Sequence, residues 1–173
     1  MLGHRFERAV LVVAIVLSVT ACQSNVRTAT VVPPLVNARS PEPGIVSSGR
    51  FGAADVAVIR DSGIRTVVDL SNDAETPTFD EASAVRDAGL AYTNIPIGGA
   101  GDLTRANVET FDALLKSADG PVLVHCGGGN RVGAMAALRA AWIEGRDVET
   151  AVEIGRAWGL TGLEKDVRAI LER

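Results

Sequence analysis

Hydrophobic and polar positions follow two alternating patterns along most of the chain, and the alternation predicts strands and helices in turn. Short apolar or β-branched runs typical of buried strands lie at 45–47, 64–70, 90–97 and 121–125. Apolar residues at helical spacing fill the segments that begin at residues 53, 78, 104, 131, 147 and 161. Helices between successive strands imply a mainly parallel sheet. The sequence therefore predicts an α/β fold, with a mainly parallel central sheet and helices on both faces.

Threonines stand where three of these helices are predicted to begin. Thr78 and Thr161 are each followed three residues later by glutamate, which is the capping-box pattern. Thr104 precedes another helical segment and is placed to accept a hydrogen bond from its first turn. The pattern predicts a threonine cap at each of these three positions.

The first 21 residues have a different character from the rest of the chain. Arg5 and Arg8 precede an apolar run over 9–19 that is interrupted only by serine, and the run is shorter than the roughly 20 residues that span a bilayer. This is typical of a signal peptide. The run ends in Val19-Thr20-Ala21-Cys22, which resembles a bacterial lipobox. We expect residues 1–21 to be a lipoprotein signal peptide, although an ordinary secretory signal with an incidental cysteine is the alternative.

A lipid at Cys22 would attach the protein to a membrane of the cell envelope and place the domain outside the cytoplasm, on the periplasmic side in a Gram-negative cell. Residues 22–43 are polar and include four prolines, Pro33, Pro34, Pro41 and Pro43, a composition typical of a flexible tether. The remaining residues, 44–173, have the length of one domain.

Charge and cysteine content narrow the classes of function. The chain carries 17 Lys and Arg against 21 Asp and Glu, for a net charge of −4, and it has no basic run, which argues against nucleic-acid binding. Its two cysteines are Cys22 and Cys126. If Cys22 carries a lipid, Cys126 has no disulfide partner and is either buried and inert or kept for its reactivity.

The segment after the strand 121–125 has the composition of an anion-binding loop. His125 and Cys126 are followed by Gly127, Gly128, Gly129, Asn130 and Arg131, and a helix begins near the arginine. Glycine N–H groups can converge on one point, and a helix N-terminus adds partial positive charge there. A guanidinium matches the shape of a tetrahedral oxyanion. The same surroundings would stabilise a thiolate at Cys126.

With this loop the chain resembles the cysteine-dependent phosphatase superfamily, and more narrowly a small bacterial family of phosphatase-like domains first noted beside β-lactamase-like hydrolases. The resemblance covers roughly residues 45–140. Besides the loop it includes Val46-Ser47-Ser48-Gly49, Thr66-Val67-Val68-Asp69-Leu70, Tyr92 with Ile95-Pro96-Ile97, and Pro121-Val122-Leu123-Val124-His125. It implies a cysteine-phosphatase-like fold, with Cys126 as the nucleophile and His125 supporting the loop and the thiolate. Arg131 and the loop, Gly127, Gly128, Gly129 and Asn130, would bind the phosphoryl group.

Two features depart from the usual phosphatase pattern. Four residues separate Cys126 from Arg131 where phosphatases commonly have five, and the shorter length is found in rhodanese-like sulfurtransferases. Val132 stands where phosphatases usually carry Ser or Thr, whose hydroxyl helps the thiolate leave. The bacterial phosphatase-like family itself has the short loop.

A phosphatase also needs a carboxylic acid to protonate the leaving oxygen. Asp102 follows the strand 90–97 in a glycine-rich loop and is the first candidate, while Asp69 at the end of its strand is the second. We predict no metal site and no cofactor, because His4 leaves with the signal peptide and His125 with one free cysteine cannot form a zinc set.

These observations predict a phosphomonoester hydrolase that acts through a cysteinyl-phosphate at Cys126. Its partner would be a phosphorylated substrate or another small oxyanion. Two alternatives stay open: a sulfurtransferase that uses the short loop, and a module that binds an anion or a partner without turnover.

Overall fold

A five-stranded sheet organises the part of the chain that the computed structural model describes, residues 31–173. The predicted signal peptide and Cys22 lie outside the described residues. The strands are β1 (Arg39–Glu42), β2 (Ile45–Ser48), β3 (Thr66–Asp69), β4 (Ala91–Asn94) and β5 (Val122–His125). Their order is β1-β2-β5-β3-β4; β1 is antiparallel to β2, and the other pairs are parallel. The apolar strand β5 is therefore central.

The register of the parallel strands brings three strand ends to one edge of the sheet. His125 at the end of β5 is level with Ser48 of β2 and with Asp69 of β3. Ligands of such sheets bind at the carboxyl ends of the strands. The residues that follow these three ends are therefore placed to form a site.

Helices cover both faces of the sheet, which confirms the predicted fold class. They are α1 (Val56–Asp61), α2 (Glu81–Asp87), α3 (Arg105–Ser117), α4 (Asn130–Trp142), α5 (Val148–Trp158) and α6 (Glu164–Leu171). None of these helices, all within residues 31–173, combines the length and the apolar character that a membrane span requires.

Alternation along β5 divides the core into two layers. Leu123 packs with residues of α1 and α2, such as Ile59 and Val85. Val122 and Val124 point the other way and pack with the longer helices α3 to α6. Successive side chains of a strand face opposite sides of the sheet, so the apolar run of β5 is buried in both layers.

Strand β1 corrects the predicted domain boundary. Arg39 pairs with Ser47 and Glu42 with Ile45, so residues 39–42 belong to the sheet rather than to a tether that extends to residue 43. Pro41 lies within this strand. Proline lacks the N–H that a central strand needs, but it is tolerated in an edge strand.

The structure confirms one predicted threonine cap and contradicts another. The Oγ1 atom of Thr104 accepts a hydrogen bond from the backbone N–H of Asn107, at 3.3 Å. The helix α2 is capped by Asp80, whose carboxylate accepts from the N–H of Ser83 at 3.0 Å, so the prediction for Thr78 was wrong. Aspartate is as good a cap as threonine, and here it lies directly before the first helical residue.

Candidate active site

Cys126 lies at the carboxyl edge of the sheet, immediately after β5. Its side chain is 1% exposed, and its Sγ accepts a hydrogen bond from the backbone N–H of Gly129 at 3.1 Å. One amide of the loop, that of Gly129, thus points at the sulfur.

Two positions of the loop require glycine, each for a different structural reason. Gly129 has a φ of +91° and precedes α4, a conformation that side chains other than glycine rarely adopt. At Gly127 a Cβ would lie 3.2 Å from Nη2 of Arg131. The first glycine lets the chain turn into the helix, and the second lets the guanidinium approach the loop.

Arg131 is held by a carboxylate that the sequence did not reveal. Its Nη1 and Nη2 donate to the two oxygens of Glu75 at 2.6 and 2.7 Å, and Nη1 also donates to the carbonyl of Ile97 at 2.8 Å. Glu75 lies in a short turn of 3₁₀-helix after β3. Paired hydrogen bonds of this kind fix the plane of a guanidinium as well as its position.

The electrostatics of this pair agree with its geometry. The Arg131 guanidinium holds the pKa of Glu75 at about 2, well below its usual range. The pKa of Arg131 is raised, first by the hydrogen bonds to Glu75 and also by the neighbouring Cys126. Arg131 is therefore charged, and it lies close to Cys126.

Arg50 adds a second guanidinium on the same side of the loop. Its Nη2 lies 3.3 Å from Oε2 of Glu75, and its backbone N–H donates to the carbonyl of Gly127 at 3.2 Å. Sequence reasoning missed Arg50 and Glu75, because both lie more than 50 residues before Arg131 and belong to no local motif.

His125 points away from the loop that it precedes. Its Nε2 lies 2.7 Å from Oε1 of Glu81 on α2 and 3.5 Å from Oδ1 of Asp69, while the buried Nδ1 has no hydrogen-bond partner among the described residues. The expected contact with the loop is replaced by a contact with α2, because neighbouring residues at a strand end project to opposite faces.

Asp69, the second candidate for the acid, belongs to the same buried group. Its oxygens accept from the N–H of Ser71 at 2.7 Å, the hydroxyl of Tyr92 at 3.0 Å and the amide of Asn94 at 3.2 Å. Burial, and then the charge of Asp69, raises the pKa of Tyr92, so its hydroxyl keeps the proton that it donates. Asp69 and Glu81 line a cleft of about 520 Å³ on this side of the sheet.

One group of described residues has the composition of a metal site. Asp69, Glu81 and His125 each offer one potential ligand atom, and the three atoms lie within 4.8 Å of one another. The distance of 2.7 Å between Nε2 and the Glu81 oxygen is that of a direct hydrogen bond. The three side chains can thus satisfy one another as a hydrogen-bonded cluster. Sequence reasoning did not assemble the group, because its members come from three separate elements.

Asp102 lies in the loop that also contacts Arg131. This loop begins at Ile97, whose carbonyl accepts from Arg131, and Asp102 lies five residues further on. The Asp102 carboxylate accepts from the N–H of Gly98 at 2.7 Å and is exposed. Asp102, the first candidate acid, therefore lies in the loop after Ile97, which is next to the site. Its carboxylate stabilises the turn of that loop by binding the N–H of Gly98.

Asn130 has a role that differs from the expected one. Its Oδ1 accepts from the backbone N–H groups of Thr161 at 2.9 Å and Leu163 at 3.2 Å. The side chain thus binds the start of α6 rather than an anion, and only the backbone of Asn130 faces the loop. Thr161 provides no side-chain cap to α6, so its predicted capping box was wrong.

Comparison with known proteins relates the chain to one family. The model of the phosphatase-like domain of beta-lactamase hydrolase-like proteins matches residues 39–142. A beta-lactamase hydrolase-like protein from Xylella fastidiosa is 36% identical over 102 residues, which cover 56% of this chain and 23% of that protein. One from Agrobacterium fabrum is 31% identical over 110 residues, which cover 61% of this chain and 25% of that protein. The chain thus spans about a quarter of the length of these relatives.

A solved phosphotyrosine complex has a similar fold. TpbA of P. aeruginosa, crystallised in complex with pTyr as a cysteine-to-serine variant, superposes with a TM-score of 0.63 and 26% identity. The match covers 83% of this chain and 87% of that chain. The fold is therefore that of the cysteine phosphatases. From its sequence, its sheet and its loop, the chain belongs to the family of phosphatase-like domains of beta-lactamase hydrolase-like proteins.

Proposed function

We propose that the domain hydrolyses phosphomonoesters through a cysteinyl-phosphate at Cys126. The observation that carries the proposal is the arrangement around the sulfur, with the Gly129 amide on Sγ and a fixed, charged Arg131 beside it. A nucleophile and an oxyanion receptor then share one loop, which is the requirement for displacement at phosphorus.

In the first step the Cys126 thiolate attacks phosphorus, and the bond from phosphorus to the ester oxygen breaks. The electron pair of that bond goes to the leaving oxygen, which takes up a proton. Arg131 and the amides of residues 127–131 bind the phosphoryl oxygens. Asp102 is the proposed proton donor, and it would have to release the N–H of Gly98 to reach the leaving group.

In the second step a water molecule attacks the phosphorus of the cysteinyl-phosphate. The bond from phosphorus to sulfur breaks, inorganic phosphate leaves, and the thiolate is restored. Val132 has no hydroxyl to stabilise the departing thiolate. The Gly129 amide, which already donates to Sγ, is the group that can assist its departure.

Aryl phosphates are the proposed substrate class for the first assay. TpbA, a structural relative at 26% identity, was crystallised with pTyr. At Gly128, in the middle of the loop, no atom lies within 4 Å of the position that a Cβ would take. A flat phenyl ring can thus approach the phosphate-binding loop without meeting a side chain from the glycines.

The test compares turnover of an aryl phosphate by the wild type and by Cys126→Ser, with and without vanadate. We expect metal-independent, vanadate-sensitive turnover that falls by a factor of roughly 1,000 or more in the variant, since the nucleophile is lost. Cys22→Ser makes the same change at the other cysteine and is expected to retain turnover. Full activity in Cys126→Ser would contradict the proposal.

Sulfur transfer is the second candidate, and the four residues between Cys126 and Arg131 are the observation that favours it. In that reaction a sulfane donor passes one sulfur atom to the Cys126 thiolate, and the rest of the donor leaves as an anion. Intact-mass spectrometry after incubation with thiosulfate would show one added sulfur atom, and an unchanged mass would exclude this function.

The membrane anchor is a separate part of the proposal. The sequence Val19-Thr20-Ala21-Cys22 supports a lipid at Cys22, which would keep the domain at a membrane surface outside the cytoplasm. Labelling of cells with a radioactive fatty acid tests this, because Cys22→Ser should then lose the label.

A further inference from the structure

Arg39 places an exposed guanidinium beside the phosphate-binding loop. It lies in the edge strand β1, opposite Ser47. Its Nη1 lies 2.8 Å from the position that a Cβ would take at Gly159 and 3.9 Å from the corresponding position at Gly129. Gly129 is the residue whose N–H binds the sulfur of Cys126. The guanidinium thus lies near Gly129, whereas Arg50 and Glu75 lie near Gly127.

A glycine at residue 159 makes this position possible. Gly159 ends α5 with a φ of +113°, and a Cβ there would meet the Arg39 guanidinium at 2.8 Å and the carbonyl oxygen of Gly129 at 2.9 Å. Any larger residue would push the end of α5 and the guanidinium away from the loop. The three residues therefore form one close contact.

The guanidinium is also close to the reacting sulfur. The N–H of Gly129 is 3.1 Å from Sγ, and the path from N through Cα to Cβ within one residue spans about 2.5 Å. Together with the 3.9 Å from Nη1 to the Cβ position, this places Nη1 of Arg39 within about 10 Å of Sγ. A small molecule bound at Cys126 can reach that far.

Arg39 differs from Arg50 and Arg131 in having no carboxylate partner among residues 31–173. Arg131 and Arg50 both bind Glu75. Within residues 31–173 no side chain or carbonyl accepts a hydrogen bond from Arg39, and no carboxylate pairs with it. The neighbouring Asn37 donates its amide to the carbonyl of Gly128 at 3.1 Å, which holds this segment against the loop.

We propose that Arg39 forms a second anion subsite, and that the substrate carries a further oxyanionic group, a carboxylate or a second phosphate, within about 10 Å of the phosphoryl group. This inference rests on the proposed function, because it takes the loop to be the site of the first phosphate. The three glycines of the loop have no side chains with which to select a substrate. Arg39 of strand β1 would provide that selectivity.

The test measures binding to the full-length chain by calorimetry, with phosphonates that cannot be hydrolysed. Propylphosphonate is compared with propane-1,3-bisphosphonate and with 3-phosphonopropionate, which add a phosphonate or a carboxylate to the same chain length. We expect the ligand that matches the substrate to bind about tenfold more tightly than propylphosphonate at low salt, and the preference to shrink as salt is added. Whichever of the two gains more identifies the second group.

Variants then assign the preference to one residue. Arg39→Gln should bind propylphosphonate as the wild type does and lose the tenfold preference. Arg60→Gln, which removes an exposed arginine paired with Asp61 on α1, should keep it and so controls for net charge.

Three outcomes would overturn the inference. Equal binding of all three ligands by the wild type removes the subsite but leaves the loop as an anion site. Failure of every ligand to bind removes both the subsite and the proposed function. Arg39 also lies at the C-terminal end of α5, where a cation is favourable. If Arg39→Gln lowers the melting temperature but keeps the preference, Arg39 only stabilises that helix end.

Discussion

The adjacent residues His125 and Cys126 lie in different surroundings on opposite faces of the sheet. His125 projects into the layer beneath α1 and α2, where it meets two buried carboxylates, Glu81 and Asp69, which are 5% and 6% exposed. Cys126 belongs to the layer of α3 to α6, where it packs in the larger apolar cluster of the core. The first layer thus buries two carboxylates beside one imidazole, whereas the second buries the carboxylate of Asp112, which Arg139 binds at 2.9 Å.

The difference between the two faces determines which polar partners the Cys126 sulfur and the His125 imidazole have. On the apolar face the polar partners of the sulfur are the Gly129 amide and Arg131 at the start of α4. On the other face the imidazole is held by side chains from α2 and β3. Packing should therefore control stability on the apolar face, and hydrogen bonding to the buried carboxylates should control it on the face of α1 and α2.

The largest effect is expected on the apolar face, for Gly133→Ala. A Cβ at Gly133 would lie 1.9 Å from the backbone nitrogen of Leu160 and 2.6 Å from the carbonyl oxygen of Gly155. These are backbone atoms, so α4 and α5 would have to separate. We expect chemical denaturation to show a loss of about 4 kcal/mol in the free energy of unfolding, above the usual range for overpacking.

Gly101→Ala is the matched control for this change, because a Cβ at Gly101 meets no atom within 4 Å. Its free energy of unfolding should stay within about 0.5 kcal/mol of the wild type. A similarly small effect of Gly133→Ala would show that α4 and α5 are not packed as closely as their glycines indicate.

On the charged face, Glu81→Ala should have the next largest effect. The substitution leaves Nε2 of His125 buried without its 2.7 Å partner. A broken buried pair of this kind costs about 3 kcal/mol in the free energy of unfolding. Glu81→Gln keeps an acceptor oxygen and should cost about 1 kcal/mol. Equal losses in the two variants would mean that the charge of Glu81, rather than its hydrogen bond, holds the imidazole.

The smallest effect is expected where the two faces meet, at Glu75 and Arg131. Because the pKa of Glu75 is lowered to about 2, the pair stabilises the fold fully above the usual pKa of a glutamate, near 4.5, and loses this contribution as the pH falls towards 2. We expect Glu75→Gln to be less stable than the wild type by about 2 kcal/mol at neutral pH, allowing for partial exposure.

Denaturation curves of the two proteins, recorded from pH 7 down to about pH 2, should converge over that window. Glu109→Gln removes an exposed carboxylate that lies 3.9 Å from Arg105, and it should follow the wild type throughout. A difference between wild type and Glu75→Gln that persists at the acid end would exclude ionisation of Glu75 as its source.

The sequence predicted the features that depend on neighbouring residues. The apolar run of β5 and the helical spacing after Arg131 are local patterns, and they were sufficient for the fold class and for the position of the loop. Strand β1 escaped detection because the segment Arg39–Glu42 has no apolar alternation and contains Pro41. It is a strand only because its backbone pairs with β2.

The partners of the loop could not be predicted for a related reason. In the sequence nothing distinguishes Glu75 and Glu81 from the other glutamates, and only the fold brings them to Arg131 and His125. One signal was available: a cation and an imidazole buried at a strand end require carboxylates near the ends of adjacent strands. Glu75 follows β3 by six residues and satisfies that requirement.

Asn130 has a consequence for how this domain should be delimited. The family model ends at residue 142, yet a residue of the phosphate-binding loop anchors its side chain on the backbone at 161 and 163. A fragment cut at residue 142 would retain every member of the loop and lose the support beneath it. The segment that the family shares is therefore shorter than the segment that the loop needs in order to keep its shape, which extends at least to residue 163.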